Sequence, residues 1–154
     1  MQPQSSPASA MATPASVTHR SKTTVAWLAC LLGMFGAHWW YLGRRRAWVF
    51  TVYSCVMLAL AHLYPVWWDN PAFLLLLLPI TEGYIEALIF AVKPDDKFDQ
   101  LYNPDSGVAT HTRWGPILAA IVTLILAGTV VVFGIALTVM HIYVAMGWLD
   151  GLQL

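Results

Sequence analysis

Charge is scarce in this chain. Asp, Glu, Lys and Arg make up 10% of its 154 residues and apolar residues 58%, whereas soluble domains carry roughly 25% charged residues. Eight basic residues balance eight acidic ones, so no cationic surplus is left to hold a nucleic-acid backbone. Cysteine is also rare. The two present, Cys30 and Cys55, both lie inside apolar runs and have no metal-site spacing. They read as unpaired packing residues and exclude a disulfide framework. Glycine-rich phosphate loop, serine nucleophile elbow and helical zinc motif are all missing, so no enzyme signature and no cofactor or metal motif is legible.

What the chain does have is long apolar runs. They predict an all-α integral membrane protein of about four transmembrane helices, beginning with a tight helical hairpin. Residues 1–20 are rich in Ser, Pro, Ala and Gln and read as a disordered N-terminal tail, neither secretory signal nor transit peptide, with Met11 as an alternative start. Residues 21–64 form the hairpin. Its first span, 24–42, has nineteen residues, about 28 Å of helix, close to the apolar thickness of a bilayer. Its second runs over 47–64. Residues 65–92 hold a third span, which Pro79 should kink or interrupt. Residues 93–113 are an acidic loop, and 114–154 hold a fourth span and a short tail. The fourth apolar stretch exceeds one crossing, so it tilts, kinks near Gly128 or Gly134, or projects beyond the lipid.

Aromatic residues gather at two levels: Trp39, Trp40, Tyr41 and Trp48 at one, Tyr64, Trp67 and Trp68 at the other. They suit the two interfacial belts of a bilayer. If all four spans cross, the loops with Arg44, Arg45, Arg46, Lys93, Lys97 and Arg113 share one side, against Arg20 and Lys22 on the other. That asymmetry places the hairpin loop and the 93–113 loop in the cytoplasm and both termini outside. Ala29, Gly33 and Ala37 recur every four residues, a small-residue stripe that lets another helix approach closely, within the chain or in a homo- or hetero-oligomer.

The hairpin carries an ordered motif: Lys22, an apolar span, then Gly36, Ala37, His38, Tyr41, Leu42 and Gly43, then a second apolar span. Over about residues 20–64 the chain resembles the TM-two domain family, small membrane proteins built on a two-span hairpin. Trp39 stands where that family usually has Arg, and Trp40 where it has Phe; Arg44, Arg45 and Arg46 follow closely enough to supply the charge. The resemblance implies a membrane hairpin and no enzyme activity. The third and fourth spans lie outside it.

Three polar residues stand out within the apolar runs. Glu82 and Glu86 are four apart and share a helix face. Each costs about 2.5–3.5 kcal/mol near a bilayer centre, so both should face the bundle interior and have partners. Glu86 and His38 lie at similar distances from the ends of their spans, which predicts a His38–Glu86 pair. His62 and His141 fall near the opposite ends of theirs; two histidines at one depth can ligate a haem or a metal, but isolated pairs mostly arise by chance, and metal sites want three or four ligands or a defined second shell. In the acidic loop Pro94, Asp95 and Asp96 suit the start of a short helix whose Phe98, Leu101 and Tyr102 would lie on the membrane surface. Its acids lack calcium-loop spacing.

The leading expectation is a non-enzymatic helix-packing or interaction module in the bacterial inner membrane. Its partners would be the bilayer, anionic lipids at Arg44, Arg45 and Arg46, and further copies or proteins through the first span. The alternative is proton- or ion-coupled translocation by an oligomer using Glu82, Glu86 and His38.

Overall fold

The computed structural model describes residues 18–66 and 69–148. The expected tail over 1–17, the choice of start, the belt residues Trp67 and Trp68 and the end beyond 148 lie outside the described residues. Among those described, all regular structure is helical: α1 (Lys22–Leu32), a 3₁₀ turn (Gly33–Phe35), α2 (Ala37–Tyr41), α3 (Ala47–His62), α4 (Pro71–Leu75), α5 (Leu77–Val92), α6 (Asp95–Tyr102) and α7 (Trp114–Ala145). Two stretches are long and apolar enough to cross a membrane, Pro71–Val92 and Trp114–Ala145; Lys22–Phe35 and Ala47–His62 are shorter apolar helices.

The expected continuous helix over 24–42 is not there. The chain breaks at Gly33–Gly36 and doubles back. Gly36 sits at φ 69°, a left-handed conformation that costs an ordinary residue about 1–2 kcal/mol and glycine almost nothing. The reversal shows in what each part touches. Lys22 Nζ donates to the carbonyl of Lys93, at the end of α5. Ten residues further on, the Gly33 backbone lies against Gly83. Past the turn, His38 reaches Glu86, and Leu42 is buried in one core with Phe90 and Phe98. So α1 runs inward along α5, and α2 runs back beside it. The Ser21 amide donates to the Tyr41 hydroxyl at 3.0 Å, closing the mouth of the hairpin.

A helix broken among apolar side chains leaves carbonyls without partners, and these must be satisfied internally. α3 does this. Thr51 Oγ1 donates to the Phe35 carbonyl at 2.7 Å, and Ser54 Oγ to that of Met34. The same device recurs in the third apolar stretch. Pro79 has no N–H to offer the carbonyl four residues earlier, Leu75. The helix breaks at Leu76 as expected, and Tyr53 Oη donates to Leu75 O at 3.1 Å instead.

α1, α5 and α7 form the core. Its buried residues include Val25, Ala26, Ala29, Ala87, Phe90, Phe98 and Ala119. Small residues set the spacing. A Cβ on Gly33 would meet Gly83 Cα at 2.5 Å, and one on Gly83 would meet Gly33 Cα at 2.7 Å. The expected close approach at Gly33 is therefore made to α5 of the same chain. Ala37 lies beyond the break, so the stripe is not carried by one helix. α7 is one continuous helix from Trp114 to Ala145, through Gly128 and Gly134. Its exposed residues are mostly large and apolar, Leu124, Ile125, Val132, Phe133 and Ile135 among them.

A polar cap closes one end. Lys22, 3% exposed, donates to Asp95 Oδ1 at 2.8 Å and to Thr112 Oγ1 at 2.7 Å. Asp99 accepts from the Thr110 amide and from Asn103 Nδ2. Asn103 in turn bonds both the N–H and the carbonyl of Arg20. His19 Nδ1 is 3.3 Å from Ser106 Oγ. Burial works against ionisation of both aspartates. The Lys22 ammonium and the Thr112 donors nevertheless hold Asp95 below its ordinary value, and Asn103 and Thr110 do the same for Asp99. These acids are committed to the fold. Phe98 is fully buried among core residues, so it does not lie on the membrane surface with Leu101, which is exposed. The reason is that α6 folds back over the bundle and its Phe98 side covers the ends of α1 and α5.

Because α1 and α2 return to the same end, all eight Lys and Arg side chains belong to it: Arg20, Lys22, Arg44, Arg45, Arg46, Lys93, Lys97 and Arg113. The expected split of six against two is corrected, and the segment from residue 18 sits with the hairpin loop, not opposite it. The far end carries Asp69 and His141, which pair at 2.9 Å. His62 is exposed and takes no part in that pair.

Candidate functional site

The polar residues of the apolar region meet where α2 returns along α5. Glu86 Oε2 accepts from Trp39 Nε1 at 2.6 Å and lies 2.5 Å from His38 Nε2; Glu86 Oε1 accepts from Arg44 Nη1 at 3.0 Å. The His38 contact is an ion-pair approach off the line of a good N–H···O bond, and neither ring nitrogen has a hydrogen-bond partner in aligned geometry. The His38 ring is fully buried. Phe90 and Trp39 meet it edge-on, each with ring centres 6.2 Å away. Arg44 stacks over Trp39, its guanidinium carbon 4.9 Å from the ring centre, and its Nη2 reaches the Tyr102 hydroxyl at 3.4 Å.

The expected His38–Glu86 pair is present. The depth comparison holds although the first half of the expected span runs the wrong way, because His38 and Glu86 were both counted from the cationic end. Arg44 does not extend toward headgroups: it is spent on Glu86 and Tyr102, while Arg45 and Arg46 are exposed. At the position where the family places Arg, the indole N–H of Trp39 and the guanidinium of Arg44 together hold the carboxylate.

Glu82 stands one turn deeper on the same face of α5. Its Oε2 is buried and has no hydrogen-bond partner. Its side chain borders an apolar cavity of about 370 Å³ between α3 and α5, lined by Val49, Phe50, Tyr53, Leu78 and Pro79. His38, Glu82 and Glu86 each offer a ligand atom within 4.8 Å of the others.

The motif residues have separate tasks here. Gly36 makes the reversal, and Gly43, at φ 71°, the turn into α3. Tyr41 closes the mouth on Ser21, Leu42 enters the core, and Lys22 fastens the entry to Asp95. Ala37, half-buried, begins the returning helix α2. Not anticipated from the sequence were Gly83, Trp39, Thr51, Ser54 and Tyr53. The one available signal was their type: a small residue, or one carrying a hydroxyl or an indole N–H, inside an apolar run.

The family model of the TM2 domain matches residues 18–68, the stretch that holds α1 to α3. No curated protein and no solved structure matches the chain.

Proposed function

We propose that this TM2-domain chain is a small multi-pass membrane protein whose TM2 segment is a re-entrant hairpin plus one crossing, and that it acts as a non-enzymatic packing and interaction module. In this reading α3, α4 with α5, and α7 cross the bilayer. α1 and α2 enter from the cationic side, reach about 20 Å deep by helical rise, and return. The observation that carries it is the gathering of all eight Lys and Arg at one end. A distribution of eight to none meets the positive-inside tendency more fully than six to two, and it makes that end cytoplasmic, in the bacterial inner membrane.

Several features support a structural role. The hydroxyls of Thr51 and Ser54 donate to broken backbone, and Lys22, Asp95 and Asp99 are bound into the cap. Arg45 and Arg46 remain free to attract anionic headgroups, at about 1 kcal/mol each near the surface. Self-association through the first helix would have to avoid Ala29 and Gly33, which are buried, with Gly33 against α5. The exposed apolar face of α7 suits either lipid or a partner helix. One observation favours the alternative of proton- or ion-coupled translocation: the unpartnered Glu82 oxygen beside a cavity. Flux in proteoliposomes that is lost on Glu82→Gln would establish that alternative.

The topology is tested with single cysteines at His19, Ser106 and Leu63, which is exposed at the far end, in a chain with Cys30 and Cys55 replaced by serine. An impermeant external reagent on intact cells should label Leu63→Cys and neither of the others. Labelling at His19→Cys together with Leu63→Cys would restore a full first crossing.

A further inference from the structure

We propose that His38, Glu82 and Glu86 bind a divalent transition-metal ion, which ties the returning arm of the hairpin to α5. The three come from two elements that share no other polar side-chain link except Trp39 to Glu86. Their ligand atoms lie within 4.8 Å of one another. A tetrahedral site with bonds of about 2.0–2.1 Å has edges of about 3.3 Å. The widest pair would therefore close by about 1.5 Å at most, and His38 Nε2 and Glu86 Oε2, 2.5 Å apart, would open by about 0.8 Å.

The buried atoms left over are the ones an ion needs. His38 is fully buried, its Nδ1 has no partner and its Nε2 meets only the Glu86 carboxylate, at 2.5 Å, while Glu82 Oε2 is buried without a partner. Such groups cost about 1–3 kcal/mol each when unsatisfied. Glu86 Oε2 has two lone pairs; Trp39 takes one, and an ion between the two side chains would take the other in place of the direct His38 contact. Trp39 and Arg44 then act as outer supports that fix the carboxylate, as the surroundings of protein metal sites commonly do.

The donor set selects the ion. One imidazole and two carboxylates suit zinc, cobalt or manganese, whereas calcium and magnesium prefer oxygen alone. Two ionised carboxylates beside one guanidinium leave one negative charge uncompensated, which draws a cation to the site. Three protein ligands also leave a coordination position open toward the cavity side of Glu82.

The test uses the full chain, purified in detergent with a histidine-free tag, stripped by a chelator and titrated with Co²⁺. The expected result is one ion per chain with ligand-field absorption, displacement by Zn²⁺, and a rise in melting temperature. His38→Ala and Glu82→Gln should each weaken binding more than about 100-fold. Trp39→Phe should weaken it about 10- to 100-fold, as loss of an outer hydrogen bond does. Arg45→Ala should leave it unchanged. Helical circular dichroism separates loss of the site from loss of the fold. No stoichiometric binding by the wild type overturns the proposal, as does binding that survives both Glu82→Gln and His38→Ala. Reaction of Glu82 with a hydrophobic carbodiimide at saturating Zn²⁺ would also overturn it, by showing a protonated carboxyl. None of these outcomes bears on the crossing count.

Discussion

The Lys22 ammonium, buried at the start of α1, sits 2.8 Å from the Asp95 carboxylate at the start of α6. This pair joins the entry of the TM2 segment to the loop between α5 and α7. Removing one partner of a buried ion pair costs more than removing both, because it leaves an uncompensated buried charge. Asp95→Asn should therefore cost about 1–3 kcal/mol in detergent unfolding, and Lys22→Met with Asp95→Asn should recover part of that. An additive double mutant would show that the pair is not coupled.

The cap also has a pH signature. Asp95 and Asp99 are held below the ordinary value of 3.8 in the fold. A depressed folded pKa gives stability that is present above the unfolded pKa and is lost as pH falls through the folded one. The melting temperature should thus be insensitive to these two groups from neutral pH down to about 4, and fall below that. In Asp95→Asn with Asp99→Asn the acid-side fall should be shallower. An equally steep fall in the double variant would assign it to other groups.

Gly33 and Gly83 touch backbone to backbone, so neither can yield to a side chain. Gly83→Ala should cost at least about 1–3 kcal/mol, the usual range for overpacking. Gly33→Leu should cost more than Leu31→Ala, since Leu31 is exposed. Comparable melting temperatures for Gly33→Leu and Leu31→Ala would remove the close approach from the account.

Tyr53 serves a carbonyl that is free because of Pro79. Tyr53→Phe should cost about 1 kcal/mol in the natural chain. In a Pro79→Ala background a backbone N–H returns to the Leu75 carbonyl, and the same change should cost little. Equal costs in both backgrounds would mean that the hydroxyl is not compensating for the proline.

How much was legible in the sequence follows from which forces are local. Apolar runs and small-residue spacing gave the helices, and Pro79 gave the break before α5. The counting of Glu86 and His38 from a common end gave their pair. The reversal at Gly36 was not legible, because an apolar run of nineteen residues with one more glycine satisfies the length rule for a crossing. What decides against the crossing is distant in sequence: Thr51 and Ser54 on α3 satisfying the broken turn, and Asp95 and Asn103 holding Lys22 and Arg20 at the entry. The same error moved two cations to the wrong end. Glu82 and Glu86 were visible as residues, but only the fold shows that Trp39 and Arg44 hold Glu86 while Glu82 Oε2 is buried without a partner.

The central claim is that α1 and α2 form a re-entrant hairpin, so residue 19 and residue 106 share an end of the molecule, with His19 Nδ1 3.3 Å from Ser106 Oγ. The direct measurement is crosslinking of His19→Cys with Ser106→Cys by a short bifunctional maleimide in native membranes, in a chain lacking Cys30 and Cys55. The account predicts an efficient intramolecular crosslink, with little between Leu63→Cys, exposed at the far end, and Ser106→Cys. No crosslink between positions 19 and 106, with each cysteine singly reactive from opposite faces of the membrane, would contradict it.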